Sequence, residues 1–123
     1  MSNSLIILLI IFAAYILFSV IKSRMTGVKI QKALDSGALV IDVRSPQEYA
    51  NGHFSTAINI PHDRIKQRLG ELGKDKNRPL VLYCYAGSRS AVAEQILRAN
   101  GFISIVNARN LTNLQRFDPS HRK

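Results

Sequence analysis

The chain of 123 residues contains a single cysteine, Cys84. No internal disulfide can form, so the fold must rest on its core. The same scarcity limits transfer chemistry. If Cys84 is oxidised or persulfidated, no second protein thiol can resolve it, and the acceptor must be another molecule. Acidic residues are also few. Eight Asp and Glu face 17 Lys and Arg, for a formal charge of +9. The basic residues are scattered and form no stripe interleaved with aromatics, so nucleic-acid binding is not expected. A basic face suits anionic lipid headgroups or small anionic substrates better. His62 and His121 have no metal-ligand spacing with anything else in the chain and read as surface residues. No metal site is expected.

The stretch Leu5 to Ile21 lacks charge, proline and glycine. It is apolar on every face, unlike an amphipathic core helix. Its length is at the lower limit for a bilayer span, roughly 17–25 residues. A cleaved signal peptide would need a positive n-region and a small-x-small site. Met1 to Ser4 carry no positive side chain, and Phe18-Ser19-Val20-Ile21-Lys22 is a poor cleavage site. We therefore read residues 1–26 as a transmembrane anchor, span about 5–21, with a brief linker at Thr26-Gly27. Lys22, Arg24 and Lys29 follow the span and none precedes it. The positive-inside tendency then predicts a single-pass inner-membrane protein whose C-terminal domain faces the cytoplasm.

Residues 27–123 are long enough for one small domain of roughly 100 residues. Val28 to Ser36 have helical spacing, with Gly37 as a natural stop. Ala38 to Val43 form a short apolar run that suits a strand buried on both faces. Ser45-Pro46-Gln47-Glu48 is a helix start with a capping box. Ala57 to Ile60 read as a second strand. Ile65, Leu69 and Leu72 predict an amphipathic helix. Pro79 to Tyr83 read as a strand, Ser90 to Asn100 as a helix stopped by Gly101, and Phe102 to Val106 as a further strand. Leu111, Leu114 and Phe117 suggest a last short helix, and Asp118 to Lys123 a frayed tail. Strands alternating with helices predict an α/β domain with a mainly parallel central sheet flanked by helices. Ligands of such sheets bind beyond the carboxyl ends of the strands.

Cys84 lies at one such end. The loop Cys84-Tyr85-Ala86-Gly87-Ser88-Arg89-Ser90 links a strand to a helix. A lone cysteine is more often a buried structural residue. Here Gly87 permits a turn that a Cβ would obstruct, and Arg89 brings a positive charge. Backbone N–H groups from Tyr85 to Ser90 can form an anion nest that favours the thiolate. The hydroxyls of Ser88 and Ser90 are further donors. Asp42 and Arg44 stand at another strand end. The commoner role for such a pair is structural, with Arg44 as a substrate-anion contact the alternative. His53 is a poor candidate for a base.

In order along the chain, Val40-Ile41-Asp42-Val43-Arg44, Glu48-Tyr49, Gly52-His53, Ala57-Ile58-Asn59-Ile60-Pro61 and Cys84-x-x-Gly87-x-Arg89 resemble single-domain rhodanese-like sulfurtransferases. The resemblance covers nearly everything from Val28 onward. It implies a rhodanese fold, a Cys84 persulfide intermediate and a cradle from Tyr85 to Arg89, closed by Arg89. It implies thiosulfate or a low-molecular-weight persulfide as donor, and cyanide, a thiol or a protein cysteine as acceptor. No metal or organic cofactor is required. Family members that resemble dual-specificity phosphatases carry five residues between Cys and Arg, whereas this chain carries four. The tighter cradle suits a terminal sulfur over a phosphate. A non-catalytic, membrane-tethered interaction module is the alternative, but such domains commonly lose the nucleophile or the cradle. Two departures stand out. Thr56-Ala57 replaces a common Gly-Ala, and Asn107-Ala108-Arg109-Asn110 replaces a common Gly-Gly turn near the expected pocket rim.

Overall fold

The computed structural model describes residues 2–121. Helix α1 (Asn3–Asp35) is followed by β1 (Leu39–Asp42), α2 (Pro46–Ala50) and β2 (Ile58–Asn59). Then come β3 (Leu80–Cys84), α3 (Ser88–Ala99), β4 (Ile105–Asn110) and α4 (Leu111–Gln115). The four strands are all parallel, in the order β2-β1-β3-β4. β3 is therefore central and every residue in it is buried. Its side chains alternate between the two faces, as the pleat requires. Leu80, Leu82 and Cys84 join a core with Ala93 and Leu97 of α3. Val81 and Tyr83 join a second core with Ile30 of α1 and Leu114 of α4. Each fully buried Leu or Ile contributes about 1.5–3 kcal/mol by leaving water.

The sheet register brings the carboxyl ends of the strands together. Asp42 pairs with Tyr83, and Cys84 pairs with Asn110. The turns after β1, β3 and β4 thus open on one edge of the molecule.

Helix α1 combines two environments. Its N-terminal residues from Leu5 to Ile21 are exposed along their whole length. This is one helix long and apolar enough to cross a membrane. Its C-terminal part buries Gly27, Ile30 and Ala33 against the domain. The linker expected at Thr26-Gly27 is absent, because the helix runs through it. Thr26 returns a hydrogen bond from Oγ1 to the Lys22 carbonyl at 3.0 Å, and Gly27 lies under the Arg116 side chain. One glycine costs a helix only about 1 kcal/mol, which packing overrides.

Three other expectations shift. The helix expected through Ile65, Leu69 and Leu72 is two short 3-10 turns, His62–Arg64 and Leu69–Leu72. Ile65 and Leu72 are buried as their spacing predicts, but Gly70 and Gly73 favour turns over a continuous helix. The last strand starts at Ile105, three residues later than expected. Phe102 turns into the core, and the ladder begins only where Leu80 bonds the Ser104 carbonyl. The tail is anchored at Asp118, which is 3% exposed and accepts hydrogen bonds from Ser55 and Ser120. Burial would raise that carboxyl, but these donors hold it well below the carboxylate range. The last two residues of the expected tail, 122–123, lie outside the described residues.

Candidate active site at the end of β3

Cys84 ends β3 and is 1% exposed. The chain then turns through Tyr85, Ala86 and Gly87 into α3. Gly87 precedes the first helical residue with φ +105°, a left-handed conformation that favours glycine. That turn aims the Gly87 N–H back at Cys84 Sγ, 2.9 Å away. The Cys84 thiol lies 3.5 Å from Ser90 Oγ, to which it donates, and Ser90 Oγ donates to the Gly87 carbonyl at 3.0 Å. A hydroxyl rotates freely, so on ionisation Ser90 can turn its proton to the thiolate. Burial pushes the thiol up. Hydrogen bonds from the Ser90 side chain and from the Ser90, Gly87 and Ala86 backbone outweigh it and bring Cys84 below its ordinary value. Of the five loop residues named from the sequence, Ala86, Gly87 and Ser90 thus bond the sulfur. Tyr85, Ala86 and Ser88 are exposed, while Gly87 and Ser90 are buried beside the sulfur.

Arg89 is held by an acidic partner that the resemblance did not name. Its guanidinium grips the Glu48 carboxylate through two bonds, Nη1 to Oε1 at 2.6 Å and Nη2 to Oε2 at 2.9 Å. Glu48 is itself fixed by the capping box of α2, in which Ser45 N–H donates to Oε1 and Glu48 N–H donates to Ser45 Oγ. The Arg89 hydrogen bonds hold the Glu48 carboxyl down at about 2. The Glu48 carboxylate in turn raises Arg89, with a smaller favourable contribution from the nearby Cys84 charge. Arg89 therefore contributes a fixed positive charge beside the loop. A cavity of about 330 Å³ opens next to it, lined by Ser45, Pro61, His62 and Arg64 among others. The sequence marked Glu48 as a cap. Its partner lies 41 positions away and left no local signal.

Arg44, a candidate anion contact, is 8% exposed and committed elsewhere. Its Nε and Nη2 bond the Asp42 carboxylate at 2.9 and 2.6 Å, and Nη2 also donates to the Gly52 carbonyl at 2.7 Å. The Tyr83 hydroxyl donates to Asp42 Oδ2 at 2.9 Å and accepts the Phe54 N–H at 3.0 Å. Burial raises the Tyr83 phenol far above its usual range, so it stays a donor. Asn59 Nδ2 bonds the Asp42 and Arg44 carbonyls. This network ties the end of β1 to β2 and β3. His53 bonds the Tyr49 carbonyl and stacks on the Tyr49 ring at 3.7 Å. Among the described residues no cluster of His, Cys, Asp and Glu could hold a metal ion.

The substituted segment Asn107 to Asn110 forms the end of β4. Leu82 pairs with Asn107 and Tyr83 with Arg109, so Ala108 is an extra residue, a β-bulge. Arg109 then adopts φ +74°, where a glycine is ordinarily favoured. Its side chain lies across Gly87, with Nε 3.0 Å from where a Cβ would stand. Sequence reasoning placed this segment near the rim but did not single out Arg109.

A buried cysteine cupped by backbone N–H groups thus stands at the carboxyl edge of a parallel sheet. The model of the rhodanese-like domain matches residues 27–113. The chain belongs to the rhodanese-like family. Thiosulfate sulfurtransferase PspE of Escherichia coli (strain K12) is 39% identical over 74 residues, which cover 60% of this chain and 71% of that protein. YqhL of Bacillus subtilis (strain 168) is 43% identical over 115 residues, 87% of each chain. A rhodanese from E. coli, solved with anions, superposes with a TM-score of 0.60 at 37% identity, covering 63% of this chain and 92% of the other. The rhodanese-like match begins at Gly27, the residue that lies under Arg116. The exposed apolar part of α1 lies before it.

Proposed function

We propose that this rhodanese-like protein is a membrane-anchored sulfurtransferase. Cys84 accepts a sulfane sulfur from thiosulfate or a small persulfide and passes it to a thiol or to cyanide. The observation that carries this reading is the Gly87 N–H directed at Cys84 Sγ within an otherwise intact Cys84-to-Arg89 loop. In the first half-reaction the Cys84 thiolate attacks the outer sulfur of thiosulfate. A new S–S bond forms, the old one breaks, and sulfite leaves with the electron pair. In the second, an acceptor thiolate or cyanide attacks the outer sulfur and the Cys84 thiolate is released. Neither step consumes an oxidant.

The loop N–H groups and Ser90 stabilise negative charge on the terminal sulfur. Gly87 makes the tight turn possible. Tyr85, Ala86 and Ser88 form the outer wall that the donor meets, and Arg89, fixed by Glu48, supplies attraction for an anionic donor. Arg44 supports the β1 end through Asp42. Helix α1, through residues 5–21, holds the domain at the bilayer, with the basic residues after the span favouring the cytoplasmic face of an inner membrane. Similarity to a thiosulfate sulfurtransferase supports the donor class.

The test is mass spectrometry of the full chain in detergent after thiosulfate treatment. A gain of one sulfur atom, reversed by cyanide and absent in Cys84→Ser, is expected. A folded protein with a reactive thiol that forms no adduct with thiosulfate or with a small persulfide overturns the carrier reading.

A further inference from the structure

A separate cavity of about 410 Å³ lies between α1 and the corner where β4 meets α4. Ser19, Lys22, Ser23 and Thr26 line its α1 wall. They recur at intervals of three and four residues and so share one helix face. Arg109 and Arg116 line the opposite wall. Both guanidinium groups rest over glycines. Arg116 lies on Gly27 of α1 and Arg109 on Gly87 of the cysteine loop, where a Cβ would intrude. Arg116 also stacks on the Phe117 ring at 4.6 Å. Among the described residues, none of Lys22, Arg109 and Arg116 forms an ion pair with a carboxylate. No acidic residue among those described lines the cavity. Three cations around one hollow repel each other unless a counter-anion joins them. The neighbouring hydroxyls add donors. An oxyanion with several acceptor oxygens matches this set.

The location narrows the source of that oxyanion. Lys22 is the first charged residue after the apolar run that ends at Ile21. At a helical rise of ~1.5 Å per residue, Lys22 to Thr26 lie within about 8 Å of the end of that run. This is the depth of the headgroup layer beside a hydrocarbon core about 30 Å thick.

We propose that Lys22, Arg109 and Arg116 bind the phosphate of an anionic lipid headgroup, seating the β4–α4 corner on the membrane surface. The proposal rests on α1 acting as a membrane anchor and is independent of sulfur transfer. Arg109 also covers Gly87, whose N–H meets Cys84 Sγ, so the headgroup and the cysteine loop share one side chain.

The full chain is used throughout the test. Carbonate-resistant flotation with phosphatidylcholine vesicles reads the anchor alone. Native mass spectrometry in detergent compares retention of phosphatidylglycerol with that of phosphatidylcholine. A titration with inorganic phosphate reads binding of a free anion. The chain should float and should retain phosphatidylglycerol at least about fivefold over phosphatidylcholine. Arg109→Gln with Arg116→Gln should abolish the preference. Lys66→Gln with Lys74→Gln removes the same charge elsewhere and should preserve it. Arg109→Gly with Arg116→Gln repeats the first test in a backbone that accepts the positive φ. A chain that does not float overturns the anchor and the lipid source together. A floating chain with equal retention of both lipids, or with a preference that survives both arginine double variants, overturns the site. Inorganic phosphate bound through Arg109 and Arg116 without a lipid preference assigns the cavity to a free anion and overturns the lipid source.

Discussion

Glu48 and Arg89 stand 41 positions apart and meet through two hydrogen bonds, of 2.6 and 2.9 Å. The pair joins the first turn of α2 to the first turn of α3, across the strand ends where Cys84 sits. Such two-pronged geometry fixes a guanidinium in direction as well as in distance. Arg89 is thus held beside the loop before any substrate arrives, and the Ser45 capping box holds its holder.

Replacing Glu48 by Gln should loosen Arg89 while keeping the capping box of α2, since Gln also serves at that position. We expect a loss of about 1 kcal/mol in stability, since the pair is partly exposed and screened. The larger effect should be a rise in KM for an anionic donor. The pH dependence follows from the carboxyl being held at about 2. A carboxylate lowered on folding stabilises fully above its unfolded value, ~4.3, and loses that contribution as the pH falls through the folded value. The stability gap between wild type and Glu48→Gln should therefore be constant above about pH 5 and close as the pH falls towards 2. Denaturant melts across that range provide the check. A gap that instead widens on acidification contradicts the assignment.

Ser90→Ala removes a donor that supports the ionised sulfur, while the Gly87 and Ala86 N–H groups remain. A hydrogen bond to a charged group is worth about 1.5–3 kcal/mol, so alkylation of Cys84 by iodoacetamide at pH 7 should slow by roughly tenfold or more. The pH midpoint of alkylation should lie below that of a free thiol, ~8.5, in wild type and move upward in the variant. An unchanged midpoint would mean that the backbone alone sets the thiol.

Tyr83 faces away from Cys84, because adjacent strand residues point to opposite sides. Its hydroxyl serves both Asp42 and the Phe54 N–H in a buried setting. Tyr83→Phe leaves both partners short and should lower stability by about 2–3 kcal/mol. Alkylation of the folded fraction should keep its wild-type pH midpoint. A shifted midpoint would show that the Asp42 network reaches the sulfur electrically.

Much of this arrangement is legible in the sequence for local reasons. The β-branched run at Val40 to Val43, the Ser45-to-Glu48 cap and the Cys84 loop each declare themselves within a few residues, and each appears where its pattern predicts. What is not legible depends mostly on contacts between residues distant in the sequence. Ile65, Leu69 and Leu72 carry helical spacing, yet their glycines and the packing of Ile65 and Leu72 select 3-10 turns. Phe102 reads as strand, but the ladder with β3 sets the start at Ile105. Thr26-Gly27 reads as a break, but burial against Arg116 carries the helix through. The Glu48–Arg89 pair and the place of Arg109 over Gly87 emerge only once the sheet brings its carboxyl ends together.

Gly87 and Arg109 provide the sharpest test of the loop. Gly87→Ala places a Cβ on a residue at φ +105°, 3.0 Å from Arg109 Nε. The backbone part of the cost is about 1–2 kcal/mol for an L side chain in the left-handed region. The steric part should be small, because the nearest atom belongs to a flexible exposed side chain that can swing aside. Arg109 sits at a positive φ of its own, so Arg109→Gly should be neutral or stabilise by up to about 1 kcal/mol. In the double variant the clash is gone but the strain at position 87 remains. The two effects should then add, with a coupling below about 0.5 kcal/mol. Alkylation of Cys84 should be slowed in both variants that carry Gly87→Ala, because relaxing the turn moves its N–H off the sulfur. Full recovery in the double variant would mean that the Arg109 contact, and not the left-handed turn, fixes the loop around Cys84.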